Sequence, residues 1–293
     1  MKFSRWLLDV KPSRPGELQI TEELGPVGRR RALWGTAVVT GFFFAGAAWV
    51  IRRFQIKGQF APELWRPFKV WGTWRYLLLG LGQTLKAAGI ALVFALTLGI
   101  MLAAWRSSSP RRKRIPATFF TEIFRACALV LLIKFAFFQL PKTPGFRGWT
   151  LGSYALVSVV LGLTLYYATV FAEVIRSGIR SLPKGQSEAA LAIGLTETRS
   201  MRLVILPQAL RRSLPNIFTQ AASLLKDTSL GVFVTYSELL SRAKIIGEFG
   251  DQESGTTNQL QSFVVAGFIY IGVVALLTST ANRLQQRQAG SSR

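Results

Sequence analysis

Six stretches of about 20 largely apolar residues constrain this chain more than anything else in it. They lie at 33–51, 76–105, 117–140, 151–175, 214–235 and 260–282. Each is long enough for a helix to cross roughly 30 Å of hydrocarbon at about 1.5 Å per residue. The expected fold is therefore an all-α integral membrane protein with six transmembrane helices. Half of the residues are hydrophobic and the mean hydropathy is +0.32, which agrees. The first and last stretches carry no charge, and the middle four carry one to three ionisable residues each. Tryptophan prefers the headgroup level, where its ring and its N–H are both served. Trp34 and Trp49 bracket the first stretch, Trp71 and Trp74 precede the second, Trp105 closes it, and Trp149 precedes the fourth. Trp65 lies in the connecting segment 52–75. Trp6, in residues 4–9, reads as part of a short surface-lying amphipathic segment or of a flexible tail.

The placement of the basic residues sets the expected orientation. With 36 Lys and Arg against 14 Asp and Glu the chain carries +22, a balance also met in nucleic-acid binders. Here the cations cluster in loops, and basic loops are retained in the cytoplasm. Placing Arg111, Arg112, Lys113 and Arg114 inside puts both termini inside, together with Arg29, Arg30, Arg31 and the loop 177–212. The segment 52–75 dissents, because Arg52, Arg53, Lys57, Arg66, Lys69 and Arg75 then lie outside. A cleaved signal ending at Ala45-Gly46-Ala47 fits less well: the leader is long and carries Glu17, Glu22 and Glu23. The arginine run reads as a topogenic cluster and not as a twin-arginine signal.

The chemistry available is narrow. There is no histidine, and Cys127 is the single cysteine. That excludes a disulfide framework, Cys/His zinc sites, histidine triads and histidine-ligated haem. No Gly-x-x-x-x-Gly-Lys-Ser/Thr phosphate loop occurs in the chain. No catalytic residue and no metal ligand set is expected, so the chain does not read as an enzyme.

The loop between the fourth and fifth stretches reads as two short helices. Gln186 or Ser187 can begin the first, Glu188, Ala189, Ala190 and Ala192 favour it, and Gly194 supplies a left-handed residue to end it. Thr196 or Thr198 can cap the second, which runs through Met201, Arg202 and Leu203 until Pro207 interrupts it. Two short helices at a fixed angle make a rigid knob.

The spacing Glu188-Ala189-Ala190, Gly194, Ile205-Leu206-Pro207 resembles the EAA loop of ATP-binding-cassette importer permeases. The flanks 165–179, Leu182-Pro183-Lys184-Gly185-Gln186 and Lys226-Asp227-Thr228-Ser229-Leu230 are similar to the polar amino-acid branch of that family, as are Gly82-Gln83-Thr84-Leu85 and Glu122-Ile123-Phe124-Arg125. The resemblance covers roughly 76–283 and implies a five-helix core with a coupling loop at 183–207. The first helix, 33–51, and its tail 1–32 look like the extension of actinobacterial glutamate permeases. Segment 52–75 would be an external amphipathic linker and 284–293 a cytoplasmic tail. Gln186, Glu188, Ala189, Ala190, Gly194, Leu195 and Pro207 would then contact an ATPase subunit. The resemblance implies a second permease, alike or different, two ATPases that bind ATP and Mg, and an external binding protein. It implies no cofactor on this chain and residence in the plasma membrane. One departure stands out: relatives usually have a proline two or three residues after the arginine of Glu-x-x-Arg, whereas Arg125 is followed by Ala126-Cys127-Ala128.

Charges within the spans need partners or a role, since each costs on the order of 2.5–3.5 kcal/mol at the bilayer centre. Glu122 with Arg125, and Glu173 with Arg176, stand three residues apart on one helical face. Lys226 and Asp227 are adjacent and should find partners on other helices. Lys86 and Lys134 have no partner nearby in sequence. Together with Gln83, Thr84, Glu122, Arg125, Glu173, Lys226, Asp227 and Thr228 they outline a candidate translocation path, whose two unpaired cations suit an anionic substrate such as glutamate or aspartate. The alternative is that both lysines snorkel to the surface. Other polar amino acids remain rival substrates, and a secondary transporter and a membrane-anchored nucleic-acid binder are rival functions; scattered basic loops speak against nucleic acid.

Overall fold

The structure is a computed structural model that describes the backbone of residues 26–108, 111–249 and 257–290 and the side chains of 30–108, 111–248 and 257–279. The Trp6 segment and the acidic leader lie outside the described residues. Among those described, every regular element is helical: α1 (Pro26–Ile56), α2 (Trp71–Arg106), α3 (Arg111–Ala126), α4 (Leu129–Gln139), α5 (Leu151–Arg180), α6 (Lys184–Ala192), α7 (Glu197–Ser200), α8 (Leu206–Asp227), α9 (Leu239–Phe249) and α10 (Gln259–Gly290), with short 3₁₀ segments and one π turn between them. Two units result, Met1–Phe60 and Ala61–Arg293.

In the first unit α1 extends the expected span at both ends and takes Arg29–Arg31 into the helix. Arg53 lies over the Trp49 ring, 5.8 Å from its centroid. The segment 52–75 is therefore mostly helix: it holds the end of α1, a 3₁₀ turn Pro62–Lys69 and the first turn of α2.

The second unit is built on α2, whose 36 residues span about 54 Å at 1.5 Å per residue. Its buried face is a row of small residues: Gly80, Thr84, Ala87, Ala88, Ala91, Ala95, Gly99 and Ala103. Where the outside is as apolar as the inside, helices associate through close backbone contact, and small residues permit it. α5 packs along this row. A Cβ on Gly99 would lie 2.7 Å from Cβ of Phe171 and 3.1 Å from the carbonyl of Ala168. α4 crosses α5 the same way, where a Cβ on Gly162 would meet Ile133 at 2.5 Å. The core formed by Ala91, Ala95, Val159, Leu163, Phe171, Ile217 and Leu224 joins α2, α5 and α8. A smaller cluster of Leu77, Leu239, Ala243 and Ala266 joins α2, α9 and α10.

Two expected spans depart from single helices. The stretch 117–140 bends by 98° between α3 and α4. Cys127 N–H donates to the Ile123 carbonyl at 3.1 Å, ending α3, and Ala128 is extended (φ −65, ψ 129) before α4 begins. The chain makes its kink here without a proline. The stretch 214–235 is also not one helix: α8 ends at Asp227, a 3₁₀ segment runs Thr228–Val234, and Thr235 adopts φ 56. α8 carries Gln208, Arg211, Arg212, Asn216, Gln220, Lys226 and Asp227, which makes it amphipathic. Among the described residues, four helices, or five when α3 and α4 count as one bent span, are long and apolar enough to cross a membrane; α8 is not among them.

Gly89 lies on α2 with open space around it, nothing coming within 4 Å of where a Cβ would stand, whereas Gly99 is tightly enclosed. Gly99→Val is expected to cost roughly 1–3 kcal/mol through overpacking and to lower the thermal unfolding temperature of the purified protein, while Gly89→Val leaves it near wild type.

Candidate functional site

Two regions of the second unit collect the expected functional residues: a helical elbow between α5 and α8, and a polar pocket where α2, α5 and the α8–α9 connection meet.

The elbow is ended and capped by local chemistry. Gly194, at φ 86, takes the left-handed position after α6; its N–H donates to Leu191 O at 2.9 Å and that of Leu195 to Ala190 O at 3.2 Å, a Schellman closure. Thr196, and not Thr198, caps α7, its hydroxyl accepting from Arg199 N–H at 3.4 Å. Pro207 does not interrupt the pattern. A π turn over Met201–Ile205 precedes it, and Pro207 sits in the first turn of α8, where its missing N–H leaves no bond unmade. Gln186, Glu188, Ala189 and Gly194 are exposed, Leu195 is half-buried, Ala190 is buried and Pro207 is exposed. Beside them stand Leu191, Ile193 and Leu203, the last two 79% and 62% exposed, a concentration of apolar surface on a protruding loop.

The elbow is fastened to both helices that carry it. Gln208 Nε2 donates to Gln186 Oε1 at 3.3 Å, Arg212 Nη1 to Ser181 O at 2.6 Å, and Ser213 Oγ to Val174 O at 3.3 Å. A Cβ on Gly178 would lie 2.9 Å from Ala209 O, so α5 and α8 touch at the backbone where the elbow leaves them. A push on α6 or α7 is thus delivered to α5 and α8 together.

The pocket has a volume of about 330 Å³ and is lined by Gln83, Lys86, Ser153, Thr235, Tyr236, Ser237 and Arg242, among others, with no carboxylate on its wall. Lys86 lies about 22 Å along α2 from Trp71 yet shares this pocket with Thr150–Ser153, the first turn of α5, because α2 overhangs α5 by about three turns. Tyr236 O–H donates to Gln83 O at 2.9 Å. Thr84 turns away from the pocket: fully buried, its hydroxyl accepts from Leu239 N–H at 3.2 Å and donates to Gly80 O at 3.2 Å. Glu238 is fully buried and accepts from Leu240 N–H at 2.8 Å, Ser241 N–H at 2.6 Å and Tyr270 O–H at 2.9 Å. It caps α9 and ties it to α10, which fixes the stretch from Thr235 to Ser237 in the pocket wall.

The remaining charges separate. Glu173 pairs with Arg106 at 2.9 Å and with Arg176 at 3.7 Å, so the cross-helix partner is the closer one. Glu122 and Arg125 are both exposed and, among the described residues, do not pair with each other. Asp227 accepts from Tyr167 O–H at 2.7 Å, a partner on α5; Lys226 is exposed and Thr228 is buried, donating to Leu225 O at 2.7 Å. Lys134 stands over the Phe233 ring at 5.3 Å and does not line the Lys86 pocket. Sequence reasoning missed Arg242, Tyr236 and Glu238, which fall between the apolar stretches. The signal available was a buriable Tyr-Ser-Glu-Leu-Leu run directly after Thr235, where a polar loop of simple solvent contact has no need of it.

A helical membrane core carrying an exposed elbow on two of its long helices defines the membrane subunit of a transporter. A family model described as "Binding-protein-dependent transport system inner membrane component" matches residues 95–290. The chain belongs to that family and is a polar amino-acid ABC transporter permease, a non-enzymatic, multi-pass inner-membrane component. It is 36% identical over 241 residues to the glutamate transport system permease protein GluD of Corynebacterium glutamicum, covering 80% of this chain and 84% of that one. It is 35% identical over 219 residues to the glutamate/aspartate import permease protein GltK of Escherichia coli, covering 73% and 94%. The arginine transport system permease protein ArtQ of Bacillus subtilis is 31% identical over 215 residues, covering 72% and 92%. Among solved structures, the chain shares a fold with one described as an amino acid ABC transporter with histidines, at TM-score 0.61 and 23% identity, covering 73% of this chain and 94% of that one.

Glu238→Ala is expected to release the Leu240 and Ser241 amides, raising their hydrogen-exchange rates and destabilising the unit by roughly 1–3 kcal/mol, while exchange in the α5 core stays slow.

Proposed function

We propose that this chain is the permease of an importer for acidic amino acids, glutamate or aspartate. The observation that carries the substrate reading is the polar pocket faced by two cations, Lys86 and Arg242, with no carboxylate among its lining residues. The 35–36% identity to two glutamate permeases supports it. Glutamine would leave one cation unpaired, and arginine or histidine would add charge to a basic site. Lys134 lies outside that pocket and is not assigned to the path. Glu173 belongs to a packing ion pair between α2 and α5.

In this reading the chain works with a second permease, two ATPases that bind ATP and Mg, and an external binding protein. Six spans cross the plasma membrane, with both termini and the basic loops inside, the bent pair α3–α4 counting as one and amphipathic α8 as the fifth. α8 is shielded from lipid by α5 and α10 and by the partner permease. The binding protein delivers an amino acid to the end of the core where α2 and α5 begin. Closure of the ATPases moves the elbow through Gln186, Glu188, Ala189, Ala190, Gly194 and Leu195. Because the elbow is bonded to α5 and α8, both helices tilt and the pocket changes its access.

Gly194 carries φ 86, a conformation strained for a side chain, and sits at the exposed tip. Gly194→Asp is expected to leave membrane insertion intact and reduce ATP-driven uptake in cells to background. Uptake at the wild-type rate would overturn the coupling role of the elbow.

A further inference from the structure

The two cations of the pocket differ in how firmly they are held. Arg242 is fixed on three sides: Nε donates to Ser237 Oγ at 3.1 Å, Nη1 donates to Tyr76 O at 2.9 Å, and the guanidinium lies over the Tyr76 ring at 4.5 Å. Its stem crosses α2 at Gly80, where a Cβ would lie 2.7 Å from Arg242 Cδ, so only glycine lets it pass. Of the five N–H donors of a guanidinium, two are spent on Ser237 and Tyr76, and the rest are available to a carboxylate in a fork of fixed geometry. Lys86 is exposed, has no partner among the described residues, and ends a flexible four-carbon stem in a compact charge.

These properties match two different demands. The α-carboxylate of every amino acid stands at one geometry relative to its α-carbon, and a preorganised fork binds such a group best. A side-chain carboxylate stands at a variable distance, nearer in aspartate than in glutamate, and a mobile point charge can follow it. We propose that Arg242 receives the α-carboxylate common to all amino acids and that Lys86 receives the side-chain carboxylate, which makes Lys86 the residue that selects acidic substrates. Gln83, whose Oε1 is only weakly engaged by Tyr236 O–H at 3.4 Å, supplies an acceptor for the α-ammonium group between them. Glu238, the neighbouring carboxylate, is directed to the α9 amides and Tyr270 and is spent before it can neutralise Arg242. The division rests on the reading of this pocket as the substrate site.

The test is equilibrium binding of radiolabelled glutamate, glutamine and 4-aminobutyrate to the purified permease–ATPase complex without the binding protein. Glutamine lacks the side-chain carboxylate and 4-aminobutyrate lacks the α-carboxylate. Lys86→Gln is expected to weaken glutamate at least tenfold, to the level of glutamine, and to leave glutamine unchanged. Arg242→Gln is expected to weaken glutamate and glutamine together at least tenfold and to leave 4-aminobutyrate unchanged. Arg242→Lys, which keeps charge but loses the fork, is expected to weaken both amino acids while 4-aminobutyrate still binds, which separates recognition from folding. The reverse pattern, Arg242→Gln sparing glutamine or Lys86→Gln weakening it, overturns the division while leaving the acidic-substrate reading intact. A wild-type complex that prefers glutamine to glutamate overturns that reading, and the division with it.

Discussion

Close backbone contact along α2 is the constraint on which the rest of the molecule depends. In a bilayer, burial of apolar surface does little to hold one helix to another, and association rests on how nearly the backbones can approach. The row from Gly80 to Ala103 permits that approach along about two thirds of α2, with α5 against its Gly99 end and α9 against its Gly80 end. The same row explains where polar groups can stand. Arg242 reaches its position only by crossing Gly80, and Thr84 reaches the Leu239 amide only because its neighbours in the row are small. One strip of small side chains thus sets the core and one wall of the polar pocket.

The departures from regular helix have a common logic. Backbone that leaves the α-helix at membrane depth must find its hydrogen bonds elsewhere or lie inside protein. The 3₁₀ segment Thr228–Val234 and the turn after it meet that demand with Thr228, Gly231, Val234 and Tyr236 buried and with Glu238 and Thr84 taking up the amides of Leu239, Leu240 and Ser241. The irregular stretch is also where Thr235, Tyr236 and Ser237 enter the pocket. At the other end of the same helix, α8 is bound to α5 through Arg212 and Ser213 beneath the elbow. α8 therefore connects the elbow to the pocket wall along its own axis, and α5 runs beside it between the same two regions.

Much of this was legible in the residues. Apolar runs placed α1, α2, α5 and α10, and the glycine, threonine and alanine pattern of 183–207 placed the elbow, down to the positive φ of Gly194, with its second cap narrowed to Thr196 or Thr198. Two features hid. Pro207 reads as a breaker because sequence periodicity does not reveal the π turn that accommodates it. The fifth apolar stretch reads as one helix because its hydropathy averages over Asp227 and Thr228, where the helix stops. Lys86 was recognisable as a charge in need of a role; Arg242, in a segment that reads as loop, was not, since only the tertiary packing of α9 on Gly80 brings it beside Lys86. The pairing of Glu173 with Arg106, 67 residues away, was likewise beyond a reading of neighbours three residues apart.

We propose that an acidic amino acid passes through the cationic pocket under the drive of partner ATPases. Initial uptake of labelled glutamate into proteoliposomes holding the complete complex, loaded with ATP and challenged with excess unlabelled competitor, tests it most directly. Uptake is expected to need ATP and to be suppressed by unlabelled glutamate or aspartate, with glutamine and arginine far less effective. Suppression by arginine or glutamine equal to that by glutamate, or uptake that persists without ATP, would contradict it.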